Sequence, residues 1–242
     1  MPSRITCEIR DGHPVTVVRL AGDLDLATTR AVHGVLDRCL AAQPDALVVD
    51  LADVAVQDRL ALSVFAAAAR RAADWPAVPF VLCAPPPPAA SWLTQSAACR
   101  GVLVRGSRAE ATRAAEAAAS PRLRIRLEPV AEACRRARDL VTDACARWNL
   151  PEAVGPASVV LSELVGNVVR HAGTPMQVTV TLRRPWLQLA VVDGSQATAR
   201  PGAPGVRDEG GRGLLLVREL ARRWGSAPAG DGKAVWATLP AN

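Results

Sequence analysis

The sequence predicts an α/β protein built as two domains in tandem. Strand-like and helix-like runs alternate along its 242 residues, which implies layered α/β packing. A Ser120-Pro121 break interrupts them near the middle. Charge divides at the same place. Residues 1–118 hold 12 basic and 12 acidic side chains, and residues 119–242 hold the other 17 and 11, so the whole net charge of +6 belongs to the back half. At this length each half can bury a core of its own.

In the front domain, residues 7–10 and 14–20 read as paired strands across an Asp11-Gly12 turn. Residues 22–29 lead into a helix with Thr28 or Thr29 as its N-cap. The run Ala46-Leu-Val-Val-Asp-Leu51 has the continuous apolar character of a buried strand. A helix over 60–73, a strand over 78–83 and a short strand over 102–104 follow, with Pro85 to Pro88 as a stiff surface turn. Residues 107–119, rich in Ala, Glu and Arg, read as a connecting helix ahead of the break.

The back domain carries the most informative run, Leu161-Ser-Glu-Leu-Val-Gly-Asn-Val-Val-Arg-His-Ala-Gly173. It predicts one helix in which Glu163, Asn167 and His171 recur every four residues and share a face. Leu161, Leu164, Val165, Val168 and Val169 take the other faces and pack beneath. A carboxylate one turn from an amide oxygen suits a divalent ion and a nucleophile awaiting deprotonation. His171, near the helix end, reads better as a partner of the helix dipole than as a catalytic group. Strands over 178–182 and 187–191 lead to Asp193 at a strand end, where an acid can accept a hydrogen bond from an exocyclic amine such as adenine's. A polar Gly/Pro-rich stretch then reaches Gly210-Gly-Arg-Gly-Leu-Leu-Leu-Val217. Glycines opening a helix leave backbone N–H groups free for phosphate oxygens, and Arg212 adds a charged donor. Singly, Glu163 with Asn167 is an ordinary helix pair and Asp193 a turn residue; in register they point to a nucleotide site.

These three elements in this order resemble the ATP-binding domain of the GHKL (Bergerat) superfamily. Within it they are most similar to the anti-sigma factor serine kinases of the RsbW type, with an actinobacterial cast. The likeness spans roughly residues 122 to 240 and includes Arg138, Leu220-Ala-Arg-Arg-Trp-Gly225 and Gly232-Lys-Ala-Val-Trp236. It implies a two-layer α/β sandwich that binds ATP with Mg²⁺. By position, Glu163 is the base, Asn167 the magnesium ligand and Asp193 the adenine reader. Gly211 and Gly213 cover the phosphates, with Arg212 between them as the charged donor, and residues 195–211 form the lid. Two positions depart from the family: Ser195 stands where a glycine is usual, and Ala234 where a hydroxyl is common.

The front domain resembles the STAS domain of anti-sigma factor antagonists over roughly residues 4 to 116. Gly22-Asp-Leu-Asp-Leu-Ala-Thr28 and the strand Leu47-Val-Val-Asp-Leu51, followed by Asp58, carry the resemblance. That family places Asp-Ser-Ser-Gly or Asp-Ser-Thr-Gly at the next helix start, where a kinase phosphorylates the second hydroxyl. Here the residues are Asp58-Arg59-Leu60-Ala61, and leucine cannot accept a phosphoryl group. Ser63 lies one turn further on, in the expected helix body, where a kinase would reach it poorly. The domain therefore reads as a degenerate antagonist with three uses open: docking in cis on the ATPase half, recruiting a regulator in trans, or stabilising the chain.

Together the resemblances imply a two-domain protein: a STAS-like domain over 1–118 and an ATP-binding, kinase-like domain over 119–242. The implied function is an ATP-binding regulator of a sigma-factor partner-switching pathway, acting as a serine kinase on a STAS-domain anti-sigma factor antagonist. The alternative is a non-catalytic, ATP-dependent module that sequesters a sigma factor or antagonist under control of its own STAS domain. A histidine kinase fits less well, because His13 and His33 lie in the front domain and no dimerisation helix pair carries a phosphoacceptor histidine. The implied partners are the antagonist, a sigma factor and the protein's own other half, with a homodimer also in keeping with the ATPase likeness.

Composition argues against other classes. There is no basic run with interleaved aromatics, no tyrosine and only two phenylalanines, so direct nucleic-acid binding is not expected. The six cysteines form no C-x-x-C pair or zinc spacing; Cys39, Cys134 and Cys145 fall in helical patterns as small buried residues. No signal peptide is read at the start, and no apolar stretch reaches spanning length without a charge or proline. A cytoplasmic, reduced protein without a membrane partner is the expectation.

Overall fold

Six consecutive buried residues, Ala46 to Leu51, open β3 (Ala46–Val56) and put it at the centre of the first sheet. The computed structural model describes residues 4–11, 15–196 and 213–241, and the chain divides into two units, Met1–Ala119 and Ser120–Asn242. In the first unit the strand order is β1 (Ile5–Asp11), β2 (Val15–Leu24), β3, β4 (Phe80–Cys83) and β5 (Leu103–Arg105). The β1–β2 pair is antiparallel and the remaining neighbours are parallel. Alternation along β3 feeds two cores. Leu47, Val49 and Leu51 pack with α1 (Thr29–Ala41), α2 (Ser63–Asp74) and α3 (Pro87–Gln95); Ala46 and Val48 pack with α4 (Arg108–Ala117) on the opposite face. This is the mixed α/β architecture that the run pattern predicts.

Several local expectations change. The segment read as a connecting helix is α4, capped by Ser107 Oγ accepting from Glu110 N; its Ala111 and Ala115 are buried in the first unit's core. Residues 85–88 are not a simple turn, because Pro87 and Pro88 occupy the first turn of α3. A fixed φ and a missing N–H cost nothing there. Thr28 holds the N-cap position of α1 without capping it: its hydroxyl donates to Asp23 O at 3.0 Å. The helix expected from Leu60 starts as a 3₁₀ turn, Arg59–Leu62, in which Asp58 accepts from Leu60 N at 2.8 Å. Ser63 is therefore the exposed first residue of α2, not part of a helix body. Gly12, in the expected hairpin turn, lies outside the described residues.

The second unit is a two-layer α/β sandwich. Its antiparallel sheet runs β6 (Arg122–Leu127), β7 (Met176–Arg183), β8 (Trp186–Asp193), β10 (Gly232–Pro240), β9 (Arg223–Ala229). Val178, Val180, Leu187, Leu189, Val191 and Val235 share a core with α5 (Ala133–Trp148) and α6 (Val154–Asn167), and α7 (Gly213–Leu220) adds Val217 beside α6. The stretch Pro151–Ala172 is long and apolar enough to cross a membrane by length and composition, but Val160, Leu161, Leu164 and Val165 are spent on this core.

The run of residues 161–173 is not one regular helix. α6 ends at Asn167, and Val168–Ala172 form a π turn in which Gly173 N donates to Val168 O at 2.8 Å; Gly173 closes it at φ +61°. An i→i+5 turn carries more residues than an α turn, so the pitch changes over these last five residues. His171 lies in this turn and is exposed. Cys39 and Cys145 are buried as expected, while Cys134 is only partly so.

Candidate functional site

Apolar side chains at 160, 161, 164, 165 and 168 seat α6 on the sheet and turn Glu163 and Asn167 away from it. Both are half-buried. Arg170 joins them: its guanidinium donates to Asn167 Oδ1 at 3.1 Å and lies 3.7 Å from Glu163 Oε2. The two oxygens thus converge on one cationic group. An amide oxygen and a carboxylate are also fitting ligand types for a hard divalent ion. Among the described residues, no group of three or more His, Cys, Asp or Glu side chains could hold a metal unaided. An ion here would need ligand oxygens, such as phosphates, to complete its shell.

Gly213, the first residue of α7, is buried against Glu163, and a Cβ there would collide with the carboxylate. Gly211 and Arg212, the other two glycine-loop candidates, lie outside the described residues, as does most of the lid stretch expected over 195–211.

Asp193 stands at the last position of β8, as the strand pattern predicts, and is 3% exposed. Its Oδ1 accepts from Ser195 N at 2.7 Å and from Lys233 Nζ at 2.9 Å; Lys233 Nζ also donates to Ser195 O at 3.3 Å. Gly194 N donates to Thr174 Oγ1 at 3.0 Å, which ties the strand end to the segment after the π turn. Gly232 is required beside them, because a Cβ at that position would run into the backbone of Asp193.

Sequence reasoning missed Arg170 and Lys233. Arg170 was findable: it follows Asn167 by three and Glu163 by seven, both same-face spacings on a helix. Lys233 was not, since its place opposite Asp193 depends on the β8–β10 register. The same register places Ala234. It pairs with Val192, one step from Asp193, so its side chain belongs to the opposite face of the sheet and a hydroxyl there would not approach Asp193. Arg138 on α5 reaches Ser162 Oγ at 3.4 Å, which links α5 to the helix that bears Glu163 and Asn167.

Comparison with known proteins follows the same division. Residues 8–95 match the family model described as Mlab, STAS domain, and residues 127–239 match the histidine kinase-like ATPase domain. Among solved structures, an anti-sigma factor antagonist from Mycobacterium paratuberculosis is 23% identical, with 48% of this chain and 97% of that chain covered and a TM-score of 0.43. The RsbU and RsbW domains of a Mycobacterium tuberculosis protein are 18% identical, with 50% of this chain and 32% of that chain covered and a TM-score of 0.39. No curated protein matches the chain. The protein joins a STAS domain, over residues 8–95, to a histidine kinase-like ATPase domain, over residues 127–239.

Proposed function

We propose that the protein is a cytoplasmic, ATP-binding regulator of a sigma-factor partner-switching pathway whose ATPase half is a serine kinase for a STAS-domain antagonist. The convergence of Glu163 and Asn167 on one cation, with buried Asp193 at the strand end, carries this reading. The pairing of the two family domains in one chain supports the pathway. In the proposed site Asp193 accepts a hydrogen bond from the adenine amine, and Gly213 lets α7 close on Glu163. Asn167 is the residue that would hold Mg²⁺, which when bound supplies charge neutralisation along the phosphates. Glu163 accepts the proton of the substrate serine. Catalysis on this reading is mostly positioning, as phosphoryl transfer demands.

A binding module without turnover is the second reading. The Arg170–Glu163 contact favours it, because a guanidinium 3.7 Å from Glu163 Oε2 stands where a substrate hydroxyl would have to approach that oxygen. Calorimetric titration of ATP into the full chain, with and without Mg²⁺, tests the site that both readings share. Asn167→Ala is expected to abolish the Mg²⁺-dependent part of binding. Glu163→Ala is expected to bind ATP and transfer nothing to a STAS antagonist; undiminished transfer would remove Glu163 as the base and leave the binding module.

A further inference from the structure

Arg170 occupies a position that the proposed chemistry does not use. It sits in the π turn after α6, and its side chain folds back over Gly166, where an added Cβ would come within 3.0 Å of its Nη1. Glycine at 166 gives the guanidinium room to lie against the helix. From there Nη2 donates to Asn167 Oδ1 at 3.1 Å and faces Glu163 Oε2 at 3.7 Å. The side chain is half exposed, at 49%, so solvent is available to it if it swings away. Arginine keeps its charge at any physiological pH. A second cation placed on Asn167 Oδ1 would meet that charge at close range.

Resting on the nucleotide-site reading, we propose that Arg170 is a built-in counter-cation which a magnesium–nucleotide complex must displace. It is a positioning residue. In the nucleotide-free protein it holds the Asn167 amide oxygen and the Glu163 carboxylate together, and it gives up Asn167 when the metal arrives. Its consequence is a threshold: the concentration of Mg²⁺ needed for nucleotide binding is set by competition with an internal guanidinium. Loss of Arg170 lowers that threshold, whereas loss of a phosphate-binding arginine would weaken nucleotide binding instead.

The test is calorimetric titration of Mg²⁺ into the full-length protein at fixed, saturating AMP-PNP, comparing wild type with Arg170→Met and Arg170→Lys. Arg170→Met is expected to lower the half-saturating Mg²⁺ concentration by about three- to tenfold, the scale of a charge-assisted hydrogen bond at a partly exposed site. Arg170→Lys keeps the charge without the planar fork and is expected to fall between the two. It also serves as the readout if the methionine variant does not fold. An unchanged threshold in the variants, or weaker nucleotide binding, overturns the inference while leaving the site intact. Silence in wild type with binding in Arg170→Met supports the inference in its strongest form. Silence in all three proteins overturns both the inference and the nucleotide-site reading.

Discussion

Gly213 lies so close to the carboxylate of Glu163 that a methyl group between them would collide with it. A second crowded glycine, Gly232, would instead bring its Cβ against the backbone of Asp193. The obstacles differ in kind, since a carboxylate on a flexible stem can give way and a paired strand cannot. Gly213→Ala is therefore expected to fold with a loss of stability below about 1.5 kcal/mol while weakening nucleotide binding. Gly232→Ala is expected to lose more than about 2 kcal/mol of stability. Urea unfolding of the two variants, alongside ATP titration, separates the effects.

Lys233 and Asp193 form a nearly buried ion pair, with side chains 14% and 1% exposed. Removing the cation alone leaves a desolvated carboxylate with only backbone support from Ser195 N. Lys233→Met is expected to destabilise the ATPase unit by about 3 kcal/mol, and the Lys233→Met, Asp193→Asn double variant by less. A double-mutant cycle by urea unfolding checks this, and additive losses would show that the pair is not coupled.

By the resemblance to STAS antagonists, the exposed Leu60 corresponds to the phosphorylated hydroxyl, and Asp58 already holds its N–H. Leu60→Ser restores an acceptor without altering that cap. Incubated with Mg²⁺ and ATP, the Leu60→Ser chain is expected to gain a phosphoryl group at position 60 where wild type gains none. Peptide mass spectrometry reads the result. No transfer, in a variant that still binds ATP, favours the non-catalytic reading.

Cys83, at the end of β4, is fully buried beside Asp50, which is ion-paired to Arg108 at 2.9 Å. Burial first, and then the Asp50 charge, push its thiol from 9.0 up to about 12. Above pH 9 the unfolded chain loses this proton while the native chain keeps it. Cys83 therefore costs stability as pH rises from 9 toward 12, at up to about 1.4 kcal/mol per pH unit. Cys83→Ala is expected to flatten that part of the stability–pH curve, measured by urea unfolding between pH 8.5 and about 10.5. At neutral pH the native thiol should also resist alkylation until the first unit unfolds.

What could be read beforehand depended on how local the signal was. The six-residue apolar run that opens β3 and the alternation that ends at Asp193 need only neighbouring side chains, and both were legible. Pro85 to Pro88 read as a stiff surface turn because the same ring that stops a helix interior is harmless in its first turn, where Pro87 and Pro88 sit. α4 looked like a connector since its small alanines reveal their burial only against Val48 and Val81 of other strands. The π turn is a matter of hydrogen-bond register, which hydrophobic periodicity does not encode. Glu163 and Asn167 were placed together correctly by four-residue spacing, whereas Lys233 meets Asp193 across 40 residues of chain.

Lys233 is the only lysine in the sequence. An amine-selective acylating reagent therefore has a single lysine side chain to find, and it is the one beside Asp193. On the proposed nucleotide reading, the rate of that labelling, told apart from the N-terminal amine by peptide mass spectrometry, gauges occupancy beside Asp193 in the wild-type chain itself, with no reporter to introduce and no substitution to control for.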